Sequence, residues 1–226
     1  MSIKLEVWGD YACFTRPELK TERYSYDVMT PGAAVGILEA IFWHPGLHYQ
    51  IDRIHVLNAI QFAGVRRNEV KSKIGCSGVK TIIKKEAFGG LYLNTKTDIV
   101  QRASTVLKNV RYVIEAHFDI GPEANDTDNS GKFQDILKRR ARKGQCYHQP
   151  YFGVREFPAH FRLLEGEVPD SEYKGREKDL GLMLHHMEYS SRKLKDGTVV
   201  YDASPTFFRA ILSDGVLDLS ESEVLR

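Results

Sequence analysis

Three observations predict an α+β fold for this chain of 226 residues. Several segments alternate apolar and polar side chains with a period of two, and two others carry an apolar stripe at helical spacing between clear start and stop residues. The order is strand, helix, strand, strand, helix, strand. That is the order of the ferredoxin-like (RRM-like) βαββαβ unit, whose helices cover one face of the sheet, and it is predicted over residues 1–165. From residue 166 the texture changes to alternating runs broken by Asp-Gly turns, which predicts a small antiparallel β domain over 166–226.

The first strand is carried by Ile3, Leu5 and Val7 alternating with Lys4, Glu6 and Trp8, and residues 14–30 form a polar connection. The next segment has Thr30 as N-cap, Pro31 at the first helical position and Pro45 as a stop. Gly32, Ala33, Ala34 and Gly36 give this helix small-sided opening turns, which suit tight packing on a sheet and leave N–H groups of the kind that attract phosphate. "YQIDRIHVLNAIQF" (49–62) supplies a second strand. From Gly64 to Lys85, seven cations face Glu69 alone and glycines interrupt any pattern, so a mobile basic loop is expected. A strand pair is expected over about 91–120, with Lys108-Asn109 at or near its connection.

Within "RYVIEAHFDI" (111–120), Tyr112, Ile114, Ala116, Phe118 and Ile120 fall on one face, and Arg111, Val113, Glu115, His117 and Asp119 on the other. "KFQDILKRRARKG" (132–144) reads as an amphipathic helix. Phe133, Ile136 and Leu137 form its stripe, Gly144 ends it, and Lys138, Arg139, Arg140, Arg142 and Lys143 lie outward. "PAHFRLLE" (158–165) is the last strand of the unit.

With 27% charged and 42% hydrophobic residues, the composition is that of an ordinary soluble domain, and a net charge of +2 does not by itself indicate a polyanionic partner. The distribution of charge says more. Two dense basic segments flank a sheet that carries Arg111 and His117 on its polar face, an arrangement suited to single-stranded RNA. Arg66, Arg67, Lys71, Arg111, Lys138, Arg139 and Arg140 are the candidate RNA-binding residues. Cys13, Cys76 and Cys146 are odd in number and have no Cys-x-x-Cys spacing, which argues for a reducing, cytoplasmic location. No apolar run approaches the roughly 18 residues of a membrane span, so no membrane partner is expected.

No metal-binding or phosphate-binding motif is present, and His185-His186 are expected to point to opposite faces of a strand, so neither metal nor cofactor is anticipated. RNA carries its own nucleophile, the 2′-hydroxyl. A metal-free cut needs a general base, a general acid for the leaving 5′-oxygen, and a cation beside the phosphorane. His117 is the candidate acid–base residue, with Tyr49 or His48 to position or relay a proton and Lys108 or Arg111 to supply charge.

"KLEVWGDYACFTRPELKTERYSYDVMTPGAAVGILEAIFWHP", "VRYVIEAHFDI" and "QPYFGVREFPAHF" together resemble the type I-C (Dvulg) CRISPR-associated proteins of the Cas-five family, in the RAMP superfamily. The resemblance covers nearly the whole chain. It implies metal-independent endoribonuclease action on precursor CRISPR RNA within each repeat. It also implies retention of the mature RNA by its 5′ handle inside the type I-C Cascade complex, beside the backbone and large subunits. It implies a catalytic histidine at His117. The chain departs from the family where Phe42 replaces a tyrosine near the end of the first helix, and where Glu115 and Ala116 stand in place of a lysine beside the histidine. The alternatives are a non-catalytic subunit that holds the RNA handle and a metal-dependent nuclease acting on DNA, with DNA a further candidate ligand.

Overall fold

The structure is a computed structural model that describes residues 2–19, 22–73, 75–85, 92–193, 199–220 and 222–226. The elements are β1 (Ile3–Ala12), β2 (Arg23–Tyr24), α1 (Pro31–Ile41), β3 (Leu47–Val56), β4 (Phe62–Val70), α2 (Cys76–Lys85), β5 (Ile99–Ile120), α3 (Ser130–Lys143), β6 (His160–Leu163), β7 (Glu177–Lys193), β8 (Val199–Ser213) and β9 (Val216–Asp218). It is a mixed α/β protein built on one large sheet with the order β6-β1-β5-β3-β9-β8-β7; β2 and β4 pair with β5 off this path. The β1–β5, β1–β6, β3–β5, β3–β9, β8–β9 and β7–β8 pairs are all antiparallel.

The helix signals act where the sequence places them. Thr30 Oγ1 accepts the Ala33 N–H and Pro31 opens α1. Asn129 caps α3, and Gly144 ends it in a left-handed conformation at φ 63°. Ile37, Leu38 and Ile41 of α1 join Phe133 and Leu137 of α3 in one core with Ile3, Leu5, Val7, Tyr112 and Ile114 of the sheet. Both helices therefore cover the same face.

In the layout of its elements the described structure differs from the sequence reading in three places. The strand pair expected over 91–120 is a single strand from residue 99 onward, residue 91 lying outside the described residues. Asn109 does adopt a turn-like φ of 51°, which asparagine tolerates, yet the β1–β5 register runs unbroken on both sides of it. The stretch from 64 to 85 is β4 and α2 rather than a loop.

The third difference concerns division. The C-terminal strands extend the main sheet, because β9 pairs with β3, and β7 packs on α1. Residues 1–63 and 105–226 form one compact unit, and residues 64–104 form another. Two domains over 1–165 and 166–226 is therefore not the division that the packing draws. The smaller unit holds most of β4, α2 and the start of β5. Its sequence has nine lysines and arginines against Glu69, Glu86 and Asp98, a net +6 in a chain of net +2. The expected Asp196-Gly197 turn between β7 and β8 lies outside the described residues. Among the described residues no helix is long and apolar enough to cross a membrane.

Candidate active site on the polar face of the sheet

On the side of the sheet away from α1 and α3, strand register lines up the polar side chains. Lys4, Glu6 and Trp8 of β1 stand opposite Glu115, Val113 and Arg111 of β5. Gln50, Arg53 and His55 of β3 stand opposite His117, Glu115 and Val113. The charges pair. Glu6, only 1% exposed, holds Arg111 Nη2 and Arg162 Nε at 2.6 Å each, one per carboxylate oxygen. Lys4 Nζ lies 3.0 Å from Glu115, and Arg53 Nε 2.8 Å from Asp218. Burial raises the Glu6 carboxyl, but hydrogen bonds from Arg162 and Arg111 outweigh it and hold the group below the usual carboxylate range. At His55 burial prevails over the Glu115 charge and lowers the imidazole.

This face is not bare. The connection from β6 to β7 is tied to β1 by Leu164 N–H donating to Lys4 O, and to the end of β3 by Glu172 N–H donating to Leu57 O. Its Val168 and Pro169 share a cleft with His55. Val113 is fully buried.

His117 stands beyond that cover with its side chain 37% exposed, and its Nδ1 is 2.7 Å from Asp52 Oδ1. A carboxylate only accepts, so Nδ1 carries the proton and Nε2 is left to take or give one. Asp52 reaches the imidazole through a bulge, since the β3–β5 register shifts between Ile51 and Arg53. The extra residue turns its side chain to the polar face beside that of Arg53.

Residues 2–219 match the sequence model of a family described as CRISPR-associated protein (Cas_Cas5). The chain belongs to the Cas5 family.

Two relatives extend over almost the full length of this Cas5 chain, and each is named a CRISPR pre-crRNA endoribonuclease Cas5d. The one from Mannheimia succiniciproducens is 47% identical over 224 residues, covering 96% of this chain and 94% of the relative. The one from Thermus thermophilus is 41% identical over 226 residues, covering 96% and 90%. Among solved structures, a crystal structure of a CRISPR-associated protein aligns with a TM-score of 0.67 at 22% identity, over 100% of this chain and 97% of the other. A functionally uncharacterized protein, SMU1763c from Streptococcus mutans, aligns with a TM-score of 0.66 at 22% identity and the same coverage. These two likenesses bear on fold alone.

In this Cas5 chain the other expected catalytic residues do not meet His117. Tyr49 lies on the helix-covered face, 7% exposed, with its hydroxyl donated to Phe42 O at 2.8 Å. Burial, and then the charge of Glu39, push that hydroxyl well above an ordinary phenol. Lys108 is nine positions back along β5, roughly 30 Å at the usual strand rise. Phe42 packs under the Arg140 guanidinium and against Phe133.

The basic candidates divide in the same way. Arg111 is committed to Glu6, and Arg140 donates to Ile41 O at 2.8 Å. Arg139 of α3 is exposed and Lys138 half-buried. Arg66, Arg67 and Lys71 belong to the 64–104 unit, where Arg66 and Lys71 are exposed.

The sequence reading missed Asp52, although the apolar spacing Tyr49, Ile51, Ile54, Val56 already breaks its period of two there. It also missed a second imidazole centre. His44 Nε2 lies 3.6 Å from Asp128 Oδ2, while Lys132 Nζ lies 2.7 Å from the other oxygen of that carboxylate, at the start of α3. Nothing local in the sequence joins residue 44 to residue 128; the packing of α1 and α3 brings them together. Among the described residues no three His, Cys, Asp or Glu side chains cluster as a metal site.

Proposed function

We propose that this Cas5 chain cleaves precursor CRISPR RNA within its repeats and then stays on the 5′ handle as a subunit of the type I-C Cascade complex, beside the backbone and large subunits. The near-full-length likeness to two proteins named CRISPR pre-crRNA endoribonuclease carries the activity. We read the first unit as ferredoxin-like; the order β6-β1-β5-β3, fourth, first, third and second strand of a βαββαβ chain, supports that reading.

In the proposed reaction the imidazole of His117, held at Nδ1 by Asp52, takes the 2′-hydroxyl proton. The 2′-oxygen attacks the adjacent phosphorus, the bond to the 5′-oxygen breaks as that oxygen takes a proton from water, and the imidazolium returns its proton to solvent. The products are a 2′,3′-cyclic phosphate and a 5′-hydroxyl, with no metal in the balance. Arg66, Arg67, Lys71, Lys138 and Arg139 supply phosphate contacts. The test is repeat RNA incubated with pure protein in chelator, with wild type compared to His117→Ala. Cutting by wild type and not by the variant supports this centre.

A second reading places the acid–base group at His44. The shared Asp128 carboxylate favours it, because an imidazole and the Lys132 ammonium then stand together at a helix start, as a phosphorane requires. His117, by contrast, has Asp52 and Asp119 for neighbours. Loss of cutting in His44→Ala, with His117→Ala unaffected, selects this second centre.

A further inference from the structure

We propose that the cleft between α1 and β7 is a subsite for one unpaired nucleotide of the bound RNA, with the Tyr151 ring as the surface on which its base stacks. The inference rests on the reading that this chain holds repeat RNA, and it concerns a place apart from both imidazole centres.

The cleft has a volume of about 400 Å³, and Gly32, Gly36, Tyr151, His185, His186 and Tyr189 are among its walls. Tyr151 also walls an adjoining cleft with His148, Gln149 and Arg155. Among the described residues neither lining contains a carboxylate. The cleft beside Trp8, by contrast, presents Glu6 and Asp10, and its arginines are already paired to Glu6. An anionic chain is therefore admitted at Tyr151 and opposed at Trp8. Glu39, whose charge reaches His186, is outside the lining, and burial pushes it toward its neutral form.

Two features of the backbone build the cleft. The β7–β8 register shifts between Leu184 and His186, so His185 is the extra residue of a bulge, and both imidazoles border the same space instead of pointing to opposite faces. This corrects the alternation expected for that pair. Burial, and then the neighbouring His186, lower the His185 imidazole. A neutral ring has one donor and one acceptor nitrogen, which suits a base edge or a ribose hydroxyl. On the α1 side, a Cβ at Gly36 would meet nothing within 4 Å, and one at Gly32 would stand 3.5 Å from His185 O. The glycines keep this wall low.

Tyr151 is held in place before any ligand arrives. It bridges to Pro158, Phe152 N–H donates to Phe157 O at 2.8 Å, and Ala159 N–H donates to Pro150 O at 2.8 Å. Gly153, at φ 78°, lets this loop press on the carbonyl of Cys13, where any Cβ would collide. The His148 ring stacks near Tyr151 at 6.4 Å and 25°. Exposed Arg155 stands beside them as the cation for the nucleotide's phosphate. A rigid aromatic face with a cation at its edge is how single strands are held without base pairing.

The test uses the full chain and repeat RNA made uncleavable by a 2′-deoxy sugar at the scissile position, with affinity read by fluorescence anisotropy. Tyr151→Ala is expected to weaken binding about tenfold, the loss of one base–aromatic stack, while Tyr151→Phe binds as wild type does. An abasic scan of the RNA should find one position whose loss weakens wild type to a similar degree but costs Tyr151→Ala nothing more. A melting curve shows whether Tyr151→Ala is folded, and His185→Ala scanned against the same abasic position gives a second reading if it is not. Equal affinity of Tyr151→Ala and wild type, or abasic penalties that all add in full to that of the variant, overturns the subsite. Wild type that binds no repeat RNA sinks the parent reading as well, so the two failures are told apart.

Discussion

Asp52 Oδ1 lies 2.7 Å from His117 Nδ1 across the β3–β5 pair, and it does so from a bulge in β3. A side chain in regular alternation has one partner set by register. The bulge frees Asp52 from that rule and turns a carboxylate toward the imidazole, fixing which ring nitrogen is protonated.

That relationship sets the first prediction. His117→Ala should cut repeat RNA roughly 10²- to 10⁴-fold more slowly than wild type, the usual worth of a general acid or base, with unchanged affinity for uncleavable RNA. Asp52→Asn offers its amide where the ring needs an acceptor, and should lose roughly tenfold or more in single-turnover rate on the same grounds. A rate for Asp52→Asn equal to wild type would remove Asp52 from the mechanism.

A second prediction concerns acid stability. Glu6 is held below the usual carboxylate range in the folded protein by Arg162 and Arg111 against the cost of burial. A depressed folded value means that its stabilisation is complete above the unfolded value near 4.5 and is lost as pH falls through the lower folded value. Glu6→Gln should therefore lower stability at pH 7 by about 2 kcal/mol, the worth of charged hydrogen bonds. The gap from wild type should narrow as pH falls below the unfolded value near 4.5 and close only below the lower folded value. Denaturant melts at pH 7 and pH 3.5 check it, and a gap that stays constant contradicts the assignment.

A third prediction separates the arginines of α3. Arg140 donates to Ile41 O and covers Phe42, so Arg140→Ala should lower the melting temperature by several degrees, corresponding to about 1–2 kcal/mol. RNA affinity should change less than it does in Arg139→Ala. The reverse order would return Arg140 to the RNA-binding set.

A fourth prediction follows from the charge of the 64–104 unit. Neutralising Arg66 and Lys71, both exposed, should flatten the slope of log affinity against log salt. The change should be roughly 0.7 for each phosphate of single-stranded RNA that the variant no longer neutralises. An unaltered slope would mean that these cations face solvent or another protein.

The parts of the fold that local chemistry specifies were legible in the sequence. Thr30 with Pro31, and Gly144, are signals whose physics lies within a few residues, and α1 and α3 begin and end accordingly. The alternation in 111–120 placed His117 on the polar face of β5 and Ile114 in the core. Reading failed where alternation is interrupted. Asp52 and His185 both sit on bulges, and a bulge depends on the partner strand as much as on the bulged one. Asn109 misled in the opposite sense, because its left-handed φ signals a turn in a short peptide while the long β1 pairing keeps β5 continuous. Tyr49 sits on the strand beside that of His117 but the pleat turns it to the other face, and Lys108 shares β5 with His117 but stands nine residues of strand rise away.

The central claim is that the RNA supplies the nucleophile and the protein supplies the proton transfer. The most direct measurement is single-turnover cleavage of the chain's own repeat RNA in excess chelator, comparing all-ribose substrate with one carrying a single 2′-deoxy nucleotide at the cut. The account predicts full cleavage of the first, with a 2′,3′-cyclic phosphate end, and none of the second. Cleavage of the 2′-deoxy substrate, or cleavage that stops in chelator and returns with magnesium, would contradict it.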